Sequence, residues 1–95
     1  ATGAVKTPSG FKEAYAQFVE GGWAGITARA ELGGMDLPES FGVLMKEMID
    51  AANLSWGNYP LLSHGATEAL KHHGEAWQQD VFPTPIISGQ WAGTM

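Results

Sequence analysis

Three ionisable side chains, His64, Glu68 and His72, recur every four residues, a spacing that places side chains on one face of a helix. Two imidazoles and a carboxylate form a reasonable ligand set for a metal ion such as zinc. However, eight residues of helix span about 12 Å along the axis, which is too far for one ion to bind both histidines. A solvated helix face is the better interpretation, with His72 and His73 near the negative end of the helix dipole. We therefore predict no metal site.

A glycine-rich stretch, residues 21–25, has the composition of a phosphate-binding loop. It follows a helical pattern rather than a strand, lacks a following Lys-Ser/Thr pair, and fails the G-x-G-x-x-G spacing. Glycine at the end of a helix accepts the left-handed backbone conformation of a C-terminal cap. The stretch therefore predicts a helix cap followed by a tight turn.

Nucleophilic and paired-acid chemistry also find no support in the spacing. Ser63 and His64 are neighbours, and neighbouring side chains on a helix point apart. Residues 53–57 lack the first glycine of a G-x-S-x-G nucleophile elbow. Glu47 and Asp50 share a helix face, but the sequence marks neither of them as buried. We expect no catalytic residue in this chain.

The elements that must position these residues are helical. Thr7 is a suitable N-cap with Pro8 at the first helical position, and Gly21-Gly22 ends that helix. Pro38 and Pro60 are placed to open two further helices. The predicted helices cover residues 8–20, 38–53, 60–73 and 75–82, with a short turn near 27–32 and a possible further turn over 85–88.

Apolar spacing at i, i+3, i+4 and i+7 indicates which faces form the core. The first two helices carry long stripes of this kind, whereas Lys46 and Asp50 lie on other faces of the second helix. The third helix has a stripe of small residues, so another backbone can approach it closely. The apolar stripes are Phe11, Ala14, Tyr15, Phe18 and Val19; Phe41, Leu44, Met45, Met48, Ile49 and Ala52; and, among small residues, Gly65, Ala66 and Ala69.

Composition limits the function classes further. The 95 residues fit one small domain, and the net charge of −5 argues against nucleic acid and against an anionic membrane surface. There is no cysteine, so a disulfide framework and thiolate metal sites are excluded. No apolar run is long enough to span a bilayer and no signal peptide is visible, which predicts a cytoplasmic protein. Low charge (16%) with four Trp and four Phe suggests apolar surface intended for a neighbour.

The order of short motifs resembles the N-terminal helical domain of the acyl-CoA dehydrogenases, and most of all the bacterial branch that contains the 3-methylmercaptopropionyl-CoA dehydrogenases. Seven motifs follow in the family's order and cover the chain from about Lys6 to Met95. They are residues 18–23 (FVEGGW), 31–38 (ELGGMDLP), 51–53 (AAN), 59–62 (YPLL), 73–74 (HG), 78–79 (QQ) and 88–95 (SGQWAGTM). The expected fold class is all-α, a small bundle of about four helices.

The resemblance implies an FAD-dependent parent enzyme that oxidises the α,β bond of an acyl-CoA thioester and passes electrons to an electron-transfer flavoprotein. It implies further domains, a middle β-domain and a C-terminal helical bundle, and assembly of the parent as a homodimer or homotetramer. Met95 falls where the family places a side chain against the flavin, so it is the implied FAD contact. The implied acyl-pocket wall consists of Gly57, Asn58, Leu61, Leu62 and Gly65.

The two ends of the chain lead to expectations about its organisation. Residues 1–6 form a disordered lead-in, 7–89 the helical domain, and 90–95 the first strand of a middle β-domain. On this interpretation the chain is a fragment, inactive alone. Two alternatives remain: a free-standing helical protein-interaction module, and a fragment of an acyl-CoA oxidase or flavin monooxygenase of the same fold.

Overall fold

The computed structural model describes residues 2–94, and within that range every regular element is helical. This result confirms the all-α fold class. The α-helices are α1 (Phe11–Glu20), α2 (Glu39–His73), α3 (Ala76–Val81) and α4 (Pro83–Ile87), and two short 3₁₀ helices span Trp23–Gly25 and Ala30–Leu32.

The core lies where α1, the connector after it and α4 meet. Its buried apolar side chains are Phe18, Ile26, Ile86 and Ile87. Helix α4 packs against both α2 and α3, and aromatic rings join α1 to α2 above it. The Phe18 and Trp56 rings meet edge to face with centroids 5.4 Å apart, and the Trp56 indole N–H donates to the Phe11 carbonyl at 3.2 Å. These contacts fix α1 against the middle of α2.

Helix α1 begins later than the sequence predicts. Its N-cap is Gly10, whose φ of 89° is left-handed and cannot belong to a right-handed helix, so Thr7 is not the cap. At the other end the prediction holds, because Gly22 adopts φ 77° and the Trp23–Gly25 turn follows at once. Residues 21–25 are therefore a helix cap and a turn.

The connector between α1 and α2 folds back on itself. Backbone N–H groups of Met35 and Leu37 donate to the carbonyls of Gly25 and Ile26, at 2.9 and 3.1 Å. Gly34 permits the close return, since a Cβ atom there would lie 2.1 Å from the Ala28 carbonyl oxygen. This doubled-back connector reaches α2 at Thr27, whose Cγ2 lies 3.0 Å from where a Cβ atom of Gly42 would be.

Helix α2 joins the second and third predicted helices, and it is bent at Asn53. There the backbone is extended (φ −163°, ψ 95°), and the Asn53 Oδ1 accepts the Trp56 N–H at 3.1 Å. Asn53 is thus an N-cap, so the helix restarts immediately rather than at Pro60, which lies inside it. The predicted interruption at Gly57 and Asn58 is wrong, because both are helical.

The end of the domain follows the prediction closely. Helix α3 starts after Glu75, whose side chain forms a reciprocal capping box with Gln78. Helix α4 opens with Pro83 at its first turn. Residues 90–94 belong to no helix or strand. The assignment of 90–95 to the first strand of a β-domain therefore stays a prediction, as do the other domain boundaries.

Candidate functional site

The two parts of α2, residues 39–52 and 54–73, face each other across a cleft of about 210 Å³, here called the α2 cleft. Helical spacing sets its walls: Val43, Lys46 and Asp50 line one side at i, i+3 and i+7. The core side chains of the domain close the floor. The opposite wall and the floor include Gly57, Pro60, Leu61, Ser63, His64, Thr67, Glu68, Phe18, Ile26, Ile86 and Ile87.

The polar side chains of the first wall form an ion pair inside the cleft. Lys46 Nζ lies 2.5 Å from Asp50 Oδ2, one helical turn away. Asp50 Oδ1 is buried and has no hydrogen-bond partner within the described residues. It packs against Gly57 of the other wall, where a Cβ atom would lie 2.4 Å from it. The sequence does not mark Asp50 as buried, but the structure buries this one carboxylate oxygen, and the Asp50–Gly57 contact closes the apex of the cleft.

The apolar stripe of residues 39–52 is only partly core. Met45 and Ile49 are half-buried, but Phe41, Leu44 and Met48 are 49%, 56% and 67% exposed. The helix is rotated relative to the prediction, so that Gly42 and Lys46 reach the cleft while half of the stripe faces outward. We call Phe41, Leu44 and Met48 the outer apolar face. The prediction that this whole stripe is core is wrong.

The residues expected to form an acyl wall divide between two surfaces. Gly57 is buried and Leu61 is 41% exposed, and both line the α2 cleft. Asn58, Leu62 and Gly65 lie on the same helical segment but do not line the cleft, and all three are exposed. The structure thus brings two of the five together. The fifth position, Gly65, meets nothing within 4 Å of where a Cβ atom would be.

Close backbone approach does occur on this segment, one residue beyond Gly65. Gly93 passes Ala66 so tightly that a Cβ atom at Gly93 would lie 2.6 Å from the Ala66 Cβ. At Ala66, therefore, the small-residue stripe allows another backbone to approach closely, as predicted. That backbone belongs to the chain after α4. Met95, the expected flavin contact, lies outside the described residues.

On the predicted solvated face of His64, Glu68 and His72, Glu68 forms ion pairs within the helix. Glu68 Oε2 lies 3.4 Å from both Lys71 Nζ and His72 Nε2. Within residues 2–94 no three His, Asp or Glu side chains converge as metal ligands. Over the same residues no helix is both long and apolar enough to cross a bilayer.

Tyr15 is a titratable group whose pKa is clearly shifted by its surroundings. Burial, and then the electrostatic effect of Tyr59, raise the pKa of Tyr15 above its ordinary value. Its hydroxyl donates to the Gly89 carbonyl at 3.2 Å, and its ring meets that of Tyr59 edge to face at 5.1 Å. A phenol that is protonated at neutral pH and bonded to a backbone carbonyl is a structural tie rather than a proton donor for catalysis.

Sequence reasoning missed two parts of the site, the cap at Asn53 and the Lys46–Asp50 pair. Asn is among the most favoured N-cap residues, and its position between two helical patterns was a usable signal. The i, i+4 spacing of Lys46 and Asp50 was also visible, but it is typical of exposed helix faces. Only the tertiary packing turns that pair toward the interior.

Comparison with known proteins gives this helical domain its class. The family described as "Acyl-CoA dehydrogenase, N-terminal domain" matches residues 4–90, and the chain belongs to that family. Over 93 residues it is 42% identical to a 3-methylmercaptopropionyl-CoA dehydrogenase of Ruegeria pomeroyi. The match covers 98% of this chain and 16% of that relative, so the chain spans about one sixth of the relative's length.

Proposed function

We propose that the chain is the N-terminal domain of an FAD-dependent acyl-CoA dehydrogenase, which oxidises the α,β bond of an acyl-CoA thioester. The observation that carries the proposal is the 42% identity, over nearly the whole chain, to a relative named as 3-methylmercaptopropionyl-CoA dehydrogenase. A short acyl group bearing a thioether is accordingly the first substrate to test. In this proposal the domain supplies one wall of the pocket and has no activity alone.

The surface of the domain supports a role as one wall of a larger pocket. Its accessible area is 6833 Å², against roughly 5,300 Å² for a folded monomeric protein of this mass. The radius of gyration, 13.9 Å, also exceeds the roughly 12 Å typical of a chain this long. The exposed area includes the outer apolar face, and the excess of about 1,500 Å² is roughly twice what one partner buries in a standard interface. Such a surface suits a domain that packs against others.

The described residues do not form a site that fits FAD. The α2 cleft, about 210 Å³, is smaller than the roughly 300–1,000 Å³ of pockets for drug-sized ligands. Of its ionisable side chains, Lys46 is neutralised by Asp50, and the others include the carboxylates Glu39 and Glu68. These groups do not favour a diphosphate. We therefore assign FAD binding to other parts of the parent enzyme, with Met95 as the contact contributed by this chain.

The proposed acyl wall is the exposed side of residues 57–65. Leu62, 38% exposed, offers apolar surface to an acyl chain, and Gly65 leaves room for a group to approach the helix closely. Asn58 adds a polar group at one end of this strip. Gly57 and Leu61 support the strip from the cleft side. No base for removing the substrate's proton is assigned to this chain.

The remaining features of the proposal concern the parent enzyme. Acyl-CoA is its substrate and an electron-transfer flavoprotein its electron acceptor. The parent assembles as a homodimer or homotetramer and is cytoplasmic. These assignments rest on the family.

The test compares the 95-residue chain with the full-length protein of the same gene. We expect the full-length protein to purify yellow and its flavin absorbance to bleach when 3-methylmercaptopropionyl-CoA is added without oxygen. The short chain should be colourless and should not reduce a dye with the same thioester. A yellow, dye-reducing short chain would overturn the assignment of FAD and catalysis to other domains.

The same experiment separates the alternative functions. Rapid reoxidation of the reduced full-length enzyme by oxygen, with hydrogen peroxide as product, would favour an acyl-CoA oxidase. A full-length protein without flavin would favour a helical interaction module.

A further inference from the structure

The segment after α4 is held against α2 at Gly93. The Gly93 N–H donates to the Ser63 hydroxyl oxygen at 3.1 Å, in a partly buried position. A side chain at Gly93 is excluded, because a Cβ atom would lie 2.6 Å from Ala66 Cβ and 2.9 Å from the Leu62 carbonyl oxygen. The backbone of Gly93 is therefore held directly on the helix surface.

Two other hydrogen bonds guide the same segment, but they tie it to different elements. The Tyr15 hydroxyl donates to the Gly89 carbonyl at 3.2 Å, and the Trp91 N–H donates to the Pro85 carbonyl at 3.0 Å. These bonds hold the segment to α1 and to α4. The Gly93–Ser63 bond relates the segment to residues 54–73 of α2.

This contact lies between two parts of the proposed pocket. Ser63 follows Leu61 and Leu62 of the proposed acyl wall and precedes Gly65. Gly93 comes two residues before Met95, the proposed flavin contact. The stretch of helix proposed as the acyl wall is therefore also the stretch that holds the backbone of Gly93.

We propose that Ser63 is a positioning residue, whose bond to Gly93 sets the register between the acyl wall and the flavin-contacting segment. The inference rests on the proposed function and goes beyond it, since it assigns a role to a hydroxyl that the proposed function does not use. Oxidation of the acyl group depends on the distance between the reacting carbons and the flavin, and small misplacements of bound groups slow reactions. A loosened register should therefore slow the chemical step more than it weakens binding.

The experiment uses the full-length enzyme, loaded with FAD, and three variants. We expect Ser63→Ala to slow flavin reduction by saturating 3-methylmercaptopropionyl-CoA in a single turnover, roughly two- to tenfold, as loss of one hydrogen bond implies. The Kd for the thioester should change less than twofold. Ser63→Thr keeps a hydroxyl and should restore most of the rate. Ser55→Ala, an exposed serine on the same helical segment, is the matched control and should match the wild type.

Gly93→Ala tests the same contact from the other side. The added methyl group collides with Ala66, so we expect a greater loss of the reduction rate and a shifted flavin absorbance band. Thermal unfolding and flavin content, measured for each variant, separate positioning from a purely structural role.

The outcomes distinguish this inference from the proposed function. Failure of the thioester to reduce the wild-type flavin overturns the proposed function, and the positioning role with it. With an active wild type, a normal reduction rate in Ser63→Ala overturns the positioning role alone. An equal loss in Ser63→Thr and Ser63→Ala, or a loss explained entirely by lower flavin content, would overturn it as well.

Discussion

The two parts of α2 line one cleft but use their other surfaces in opposite ways. Residues 39–52 turn large apolar side chains outward, with Met48 67% exposed. Residues 54–73 carry small residues, and at Ala66 the backbone of Gly93 lies in direct contact. Both parts therefore expose apolar side chains, but only the second, at Ala66, also lets a backbone approach closely within the described residues.

The difference shows how one helix can satisfy two kinds of packing. Apolar area removed from water contributes about 25 cal/mol per Å², so the outer apolar face gains stability only when something covers it. Close backbone contact needs small residues such as glycine or alanine. At Gly93 and Ala66 this contact is already made within the chain. The outer apolar face is therefore largely exposed, whereas the surface at Ala66 is already in contact with Gly93.

The largest expected effect on stability contrasts a buried residue at the floor of the α2 cleft with a residue of the outer apolar face. Ile87 is 6% exposed, and Ile87→Ala should lower the free energy of unfolding of the 95-residue chain by roughly 2–5 kcal/mol, because it leaves a cavity. Met48→Ala removes a similar volume from a side chain that is 67% exposed. It should change the free energy of unfolding by less than about 0.5 kcal/mol. Urea unfolding followed by circular dichroism measures both. Similar losses for the two variants would mean that the outer face is covered in solution.

A smaller effect contrasts two glycines of residues 54–73. Both substitutions to alanine gain helix propensity, worth about 1 kcal/mol, so the difference between them reports packing. Gly65→Ala meets open space and should stabilise the chain. Gly57→Ala places its Cβ 2.4 Å from Asp50 Oδ1 and 3.0 Å from Ile49 Cγ2, so it should destabilise the chain by roughly 1–3 kcal/mol. Equal melting temperatures for the two variants would show that the apex of the cleft is not closed as described.

The smallest effect concerns Tyr15, which ties α1 to both the second part of α2 and Gly89. Its raised pKa means that the folded state holds the phenolic proton more tightly than the unfolded state. That stability is fully present below the ordinary pKa of 10.0 and is lost as pH rises through the raised value. Tyr15→Phe should therefore flatten the decline of stability above about pH 10. Urea unfolding at pH 8 and above pH 10 tests it, and an unchanged decline in the variant would contradict the assignment.

Much of the fold followed from local signals in the sequence. The apolar spacing around Phe18, the glycine at Gly22 and the start at Glu75 each act within a few residues, so the sequence was sufficient to predict them. The family itself was also recognisable, from the order of motifs. The sequence did not predict which side of residues 39–52 faces the core. Apolar side chains lie on both sides of Met45 on the helix surface, and either side could pack in a core or in an interface.

The candidate site was less predictable than the fold. Gly57 lines the α2 cleft, and its contact with Asp50 depends on the bend between them, which the sequence did not predict. The bond from Gly93 to Ser63 joins residues thirty positions apart, and no local pattern specifies it. Such contacts depend on how the elements come together.

The bend at Asn53 also has a consequence for how the domain opens. Because Asn53 caps the second part of α2 with its own side chain, that part has a helix start of its own. Helices form cooperatively from such starts, so the two parts can fray or exchange separately. Amide hydrogen exchange should therefore resolve α2 into two protection blocks that meet at Asn53, with the block bearing the outer apolar face exchanging first.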